Sequence, residues 1–308
     1  MPDARQNPTS HAACARPYRL IAFDWDGTAV ASRKEPADEV VRRVEPLGGL
    51  GVVCAVITGT NIHNLDEPFL QRVRPRCRHH LLACMNRGSE VFGYDADGQR
   101  MLLHRREATP AENQAMDSIA VAVRDELREQ FGLATEIIFD RLNRRKLDLI
   151  PLPEWADPPK ARIGELLEAV NARLAGAGLA GGIKRIMDRV ERLAAQHGID
   201  IRLTTDVKHV ELGLTDKSDS VRYLLDQVAA PRGIAREEIV FLGDEFGPID
   251  GFEGSDFKMV CAPGATFLSV GKEPNGVPQG VLHLGGGIPR FLEFLDHQAA
   301  LHKAKHTP

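Results

Sequence analysis

Three apolar runs in this chain each stop abruptly at a short polar cluster, and that recurrence restricts the possible folds more than any other feature. Leu20-Ile21-Ala22-Phe23 ends in Asp24-Trp25-Asp26-Gly27-Thr28. Gly51-Val52-Val53-Cys54-Ala55-Val56-Ile57 ends in Thr58-Gly59-Thr60-Asn61. Glu238-Ile239-Val240-Phe241-Leu242 ends in Gly243-Asp244-Glu245. Short continuous apolar runs bounded by turn residues read as strands buried on both faces, the texture of a parallel sheet. A helix predicted over residues 36–44, with Val40, Val41 and Val44 as its apolar face and Gly48-Gly49 as its stop, joins the first two. A second helix is predicted from the Thr58 cluster to about Val73. The β-α-β-α order implies right-handed crossovers, which bring all three clusters to one edge of the sheet, where open α/β sheets place their chemistry.

The middle of the chain has a different texture. Strands are predicted over 80–85, 90–94 and 101–104, with Asp95-Ala96-Asp97-Gly98 as a hairpin turn. A long amphipathic helix over 111–131 follows, with Thr109 as cap and Pro110 in its first turn. Strands over 136–139 and 146–150, helices over 161–174 and 183–197, and strands over 199–204 and 209–212 complete the stretch. Residues 105–204 therefore read as an inserted α/β unit, flanked by core halves at 18–104 and 205–308. Within the second half, a helix from Asp216-Lys217 to about Val228, a fourth core strand over 258–261 and a closing helix over 288–296 are expected. The tail 1–17 and the Lys/His-rich end after Gln298 read as disordered. The predicted class is α/β, a Rossmann-like parallel sheet with an inserted α/β cap.

Length and charge narrow the functional classes. A chain of 308 residues suggests two domains, and a formal charge of -4 argues against a general nucleic-acid binder. No apolar run approaches a membrane span, and residues 1–17 lack the apolar core of a signal peptide. Cys14, Cys54, Cys77, Cys84 and Cys261 form no metal or disulfide spacing, which points to a reducing cytoplasm.

The clusters suit one task. Asp24 and Asp26 sit one residue apart, so a cation is expected beside them, with Asp24 as nucleophile and Asp26 as acid/base partner. A phosphate ester and a carboxylate repel each other: at about 4 Å a pair of unit charges costs roughly 1 kcal/mol in water and roughly 4 at an effective dielectric of 20. Mg²⁺ on Asp24 and Asp244, with Lys217 as a point charge, offsets that repulsion. The Thr58 hydroxyl and the amides at Gly59 and Thr60 are placed to hold phosphate oxygens. The competing reading of each cluster is a solvated turn.

These motifs together resemble the haloacid-dehalogenase (HAD) superfamily of phosphatases, in the subclass with a large α/β cap inserted between motifs II and III. Asp24-Trp25-Asp26-Gly27-Thr28 matches motif I, Val56-Ile57-Thr58-Gly59 motif II, Asp216-Lys217-Ser218 the lysine motif, and Phe241-Leu242-Gly243-Asp244-Glu245 motif IV. Asn86-Arg87-Gly88 resembles the Asn-Gly-Ala stretch before the cap. The resemblance implies a Mg²⁺-dependent hydrolase of phosphate monoesters acting through an aspartyl-phosphate, with Asp24, Asp26, Asp244 and Asp256 as metal ligands. Asp256 enters because Gly254-Ser255-Asp256 is similar to the Gly-Asn-Asp of phosphomannomutase-type relatives, with Asp250 and Glu245 as alternatives. Two departures stand out: Thr60 occupies a position where many relatives carry Arg, and Pro248 replaces the usual second acid of motif IV. In the cap, Arg141, Asn143, Arg144, Arg145 and Lys146 read either as a grip for an anion or sugar hydroxyls, or as a solvated basic loop. The resemblance leaves room for a phosphosugar mutase or a non-catalytic phosphometabolite-binding protein. Trp25 reads as a packing residue.

Overall fold

A computed structural model describes residues 12–32, 35–156, 158, 162–249 and 251–306. In chain order its principal elements are β1 (Leu20–Asp24), α1 (Asp38–Gly49), β2 (Val53–Ile57), β3 (Leu81–Met85), β4 (Glu90–Tyr94), β5 (Arg100–Arg105), α2 (Pro110–Phe131), β6 (Glu136–Arg141), β7 (Arg144–Asp148), α3 (Ile163–Gly176), α4 (Gly182–His197), β8 (Arg202–Thr205), β9 (His209–Gly213), α5 (Lys217–Tyr223), β10 (Ile239–Gly243), β11 (Thr266–Ser269), β12 (Val281–His283) and α6 (Gly287–His306). They divide into two compact units: Arg106–Asp216, and the segments on either side of it. No helix among the described residues is long and apolar enough to cross a membrane.

The larger unit carries one sheet in the order β12-β11-β10-β1-β2-β3-β4-β5. The pairs from β12 to β3 are parallel, and β3, β4 and β5 pair antiparallel. Side chains along β1 alternate between two cores. Ile21 and Phe23 join Val40, Val44 and Leu47 of α1 and Phe291 and Leu295 of α6. Leu20 and Ala22 join Val221 and the apolar residues that follow it. Burial on both faces explains why β1 up to Asp24, β2 and β10 are apolar: each fully buried large side chain contributes about 1.5–3 kcal/mol.

The smaller unit is an antiparallel sheet, β6-β7-β9-β8, with α2 packed on β6 and β7 and α4 packed on α2. The start of α2 is fixed by a reciprocal cap. The Glu112 amide donates to Thr109 Oγ1 at 3.2 Å, and the Thr109 amide donates to Glu112 Oε2 at 2.8 Å.

Several expectations are corrected. The helix predicted from the Thr58 cluster to Val73 is only one short turn, His63–Leu65, followed by a wide turn over Asp66–Leu70. Pro68 lies inside that stretch; it has no amide to donate and its ring crowds the preceding turn. The helix beginning at Lys217 likewise widens after Tyr223. Residues 258–261 form no strand: the carbonyls of Asp256 and Phe257 are taken by tight-turn bonds from Met259 and Val260, and the fourth core strand is β11. Strand β9, placed in the core by its sequence position, pairs with β7 and β8 in the smaller sheet. The C-terminal end after Gln298 is helical to His306, and it is tied down there. The Tyr18 amide donates to Gln298 Oε1 at 2.9 Å, and His302 Nε2 contacts the Tyr18 carbonyl at 2.8 Å. Residues 12–17 of the expected disordered tail are also engaged, since Gln298 Nε2 donates to the carbonyls of Cys14 and Arg16. Residues 1–11 of that tail lie outside the described residues.

Candidate active site

Register places the clusters beside one another. Phe23 pairs with Leu242 of β10, and Asp24 with Ile57 of β2, so Asp24, Thr58 and Asp244 leave the sheet at the same edge. The strands on either side of β1 lead to opposite halves of the sheet, the switch point at which open α/β sheets bind ligands.

Asp24, Asp244 and Asp256 each direct a carboxylate oxygen into one place, all within 4.8 Å of one another. Lys217 Nζ donates to Asp24 Oδ1 and to Asp256 Oδ1, both at 2.6 Å. Burial by itself would lower the Lys217 pKa, but the Asp24 and Asp256 carboxylates outweigh it and hold the ammonium above its ordinary 10.5. Asp256 is fully buried, and its second oxygen accepts from the amides of Asp244 and Glu245 at 2.9 Å. Thr28, also fully buried, donates its hydroxyl to Asp244 Oδ1 at 2.9 Å.

Glycine at 243 makes room for this arrangement. A Cβ there would stand 2.3 Å from Asp256 Oδ2, far inside contact distance. The loop beyond Asp244 is pinned by a residue the sequence did not single out. Glu273, buried, accepts from the amides of Phe246 and Gly247 at 2.8 Å and from Ser269 Oγ at 2.6 Å.

Three carboxylates against one ammonium leave two negative charges in the cluster, and the donors are hard oxygens. That donor set fits a divalent cation such as Mg²⁺. Asp26, read from sequence as a fourth ligand, is not among the converging carboxylates. The chain leaves the sheet after Asp24 and curls through Gly27, at φ 94°, with the Gly27 amide bonded to the Val30 carbonyl at 2.7 Å. Residue 26 therefore lies beyond the end of β1, where strand alternation no longer applies. Of the alternatives to Asp256, Glu245 accepts from Ser255 Oγ at 3.0 Å, and Asp250 lies outside the described residues. Trp25 is fully buried, its ring 4.9 Å from that of Phe69, a packing residue as expected.

Thr58 is buried at the end of β2. The Thr60 amide, expected at a helix start, instead donates to Thr58 Oγ1 at 3.3 Å, because no helix begins there. Gly59 lies under Arg87, whose Cγ and Nε would each be 3.5 Å from a Cβ at that position.

In the smaller unit the basic residues do not act as one cluster, because strand alternation separates them. Arg144 and Lys146 reach Glu211 on β9, at 3.2 and 2.6 Å. Arg145 turns to α2, where it meets Asp117 and donates to Asn113 Oδ1 at 3.1 Å. Arg141 is exposed beside Asp140, and the Asn143 side chain bonds the Arg106 carbonyl and the Ala108 amide. Arg144 and Arg145 are buried, so neither belongs to a solvated loop.

All five cysteines are free thiols, and burial pushes Cys54 and Cys84 up to about 12, which removes them as nucleophiles near neutral pH.

No family model matches the sequence, and no curated protein matches it. Solved structures do. The Plasmodium falciparum IMP-nucleotidase is similar at a TM-score of 0.60 and 12% identity, over 94% of this chain and 64% of that one. Its N-terminally truncated, IMP-bound form gives 0.59 and 11%, over 92% and 68%. The C-terminal domain of C. albicans trehalose-6-phosphate phosphatase gives 0.58 and 15%, over 95% and 96%. At this identity the likeness establishes the fold, and this chain spans about two thirds of the length of the nucleotidase.

Proposed function

We propose that this chain, whose fold is that of the HAD-type phosphatases, hydrolyses a small phosphorylated metabolite. The observation that carries the reading is the Lys217 ammonium, held 2.6 Å from both Asp24 and Asp256 where three strand-end clusters converge. A buried cation among carboxylates at a sheet switch point is an arrangement for bringing one anion up to another.

Asp24 is the nucleophile. Its carboxylate oxygen bonds to phosphorus as the bond to the leaving oxygen breaks, and Asp26 gives that oxygen a proton. Asp26 then takes a proton from water, whose oxygen attacks the aspartyl-phosphate and frees Asp24 and inorganic phosphate. Lys217 orients Asp24 and offsets the charge of the incoming ester, while Thr58 holds a phosphate oxygen. Asp24, Asp244 and Asp256 would hold Mg²⁺, which when bound supplies two positive charges against the repulsion between ester and carboxylate.

The same charge logic supports the substrate class, and so do two of the structural neighbours, an IMP-nucleotidase and a trehalose-6-phosphate phosphatase, one named for a nucleotide monophosphate and one for a sugar phosphate. Both are phosphate monoesters, and a sugar phosphate is the favoured class here. Five free thiols fit a reducing cytoplasmic setting.

The test is a phosphate-release screen over sugar, nucleotide and glycerol phosphates in Mg²⁺, repeated in EDTA. Release that needs Mg²⁺ and disappears in Asp24→Asn is the expected result. Silence across the panel would overturn the proposal.

A further inference from the structure

The turn after β3 holds two consecutive non-glycine residues in left-handed backbone, Asn86 at φ 51° and Arg87 at φ 53°. Such residues cost about 1–3 kcal/mol each and persist only where their surroundings fix them. The Asn86 amide donates to the Thr60 carbonyl at 2.9 Å, and the Arg87 amide donates to the Thr58 carbonyl at 3.0 Å. Asn86 Nδ2 donates to Glu90 Oε2 at 2.6 Å. The strained turn is thereby stitched to the loop that carries Thr58 and Gly59. It also packs against α5, the helix that Lys217 opens. The Arg87 side chain lies back over Gly59, with Cγ and Nε 3.5 Å and Cζ 3.9 Å from a Cβ built there, and only 9% of the residue is exposed.

A guanidinium in this place adds a charge that the site can use. A phosphate monoester is close to a dianion, and the Lys217 ammonium is already shared between two carboxylates. The residue after Gly59 is Thr60, so the Thr58 loop brings no cation of its own. The neighbouring strand brings one, on a backbone fixed to that loop by two hydrogen bonds.

We propose that Arg87 is a phosphate-binding residue of this site, its planar fork donating two hydrogen bonds to oxygens of the substrate's phosphoryl group beside Thr58. The assignment rests on the phosphatase reading above. It requires arginine rather than lysine, because only the rigid fork meets two oxygens at once.

The experiment compares the parent protein with Arg87→Lys and Arg87→Ala, using p-nitrophenyl phosphate as substrate and inorganic phosphate as ligand, both in Mg²⁺, with thermal melts alongside. Arg87→Lys should lower kcat/KM about 10²-fold, as the loss of one positioned donor does. It should weaken inorganic phosphate by a similar factor while the protein stays folded. Added guanidinium ion should restore part of the activity of Arg87→Ala. A role confined to structure would lower Tm and leave phosphate affinity alone. A folded Arg87→Lys protein with unchanged KM and phosphate affinity overturns the proposal, and so does an Arg87→Lys protein that cannot fold. Should the parent bind phosphate through Arg87 yet hydrolyse no ester, the phosphatase reading falls and the Arg87 assignment stands. Turnover with phosphate affinity indifferent to Arg87 gives the reverse, and a parent that binds no phosphate removes both.

Discussion

The Lys217 ammonium stands 2.6 Å from the Asp24 carboxylate although 193 positions separate the two residues in the chain. It makes the same bond to Asp256. Three carboxylates and one ammonium thus share a buried space, and their balance governs how the protein should respond to substitution.

Removing the ammonium should be costly in two ways. Lys217→Ala takes the shared cation from Asp24 and Asp256, and breaking a buried ion pair this way costs about 3–5 kcal/mol. Turnover should fall about 10²–10³-fold. Mg²⁺ should recover part of the lost stability and little of the lost rate, read by melts and phosphate release in the presence and absence of metal.

Mg²⁺ itself should stabilise the parent. At a concentration of 100 Kd the gain is about 2.7 kcal/mol, provided the unfolded chain does not bind. Asp244→Asn should erase the gain, and a full Tm shift in that variant would remove Asp244 from the ligand set.

Gly243→Ala tests the packing behind Asp256. The new Cβ would lie 2.3 Å from Asp256 Oδ2, so that carboxylate must move. Activity and the Mg²⁺ response should both collapse, whereas Gly49→Ala, with nothing within 4 Å, should leave both intact. Mg²⁺ titration by calorimetry distinguishes a displaced ligand from general loosening.

In the smaller unit, Glu211 holds Arg144 and Lys146 and is almost fully buried. Glu211→Ala should destabilise by about 3–5 kcal/mol, because Arg144 and Lys146 both lose the buried carboxylate they share, although Lys146 also reaches Asp206 at 3.7 Å. Denaturant midpoints check the value, and a loss under about 1 kcal/mol would contradict it.

The cap of α2 predicts a pH response. The hydrogen bond from Arg106, together with those from Thr109, holds the Glu112 carboxyl at about 2, below its ordinary 4.5. A depressed carboxylate contributes stability above the unfolded value and loses it as pH falls through the folded one. The Tm difference between the parent and Glu112→Gln should therefore be constant above about pH 5 and shrink between 4.5 and 2. A difference that grows on acidification would reverse the sign and refute the cap.

Elements were legible where local pattern and burial agree. The apolar runs of β1, β2 and β10 read as doubly buried strands, and Thr109 with Pro110 announced α2. Legibility failed where a long-range partner decides. Residues 258–261 are apolar enough for a strand, but Asp256, drawn in by Lys217, bends the chain there into a tight turn. Three consecutive basic residues, Arg144 to Lys146, suggested one surface, and the two faces of β7 divided them. Nothing near Gln298 or His302 in sequence revealed that both would be held by Tyr18.

The sequence by itself determined the alternation of buried strands with helices, and the identity of the acids and the lysine at the strand ends. Both follow from hydrophobic periodicity and from side-chain chemistry, which are local properties. The tertiary structure alone decided which of those groups meet. It chose Asp256 over Glu245, left Asp26 outside the carboxylate cluster, and laid Arg87 over Gly59. Such choices depend on sheet register and on turns fixed by distant hydrogen bonds, and no stretch of sequence contains both partners.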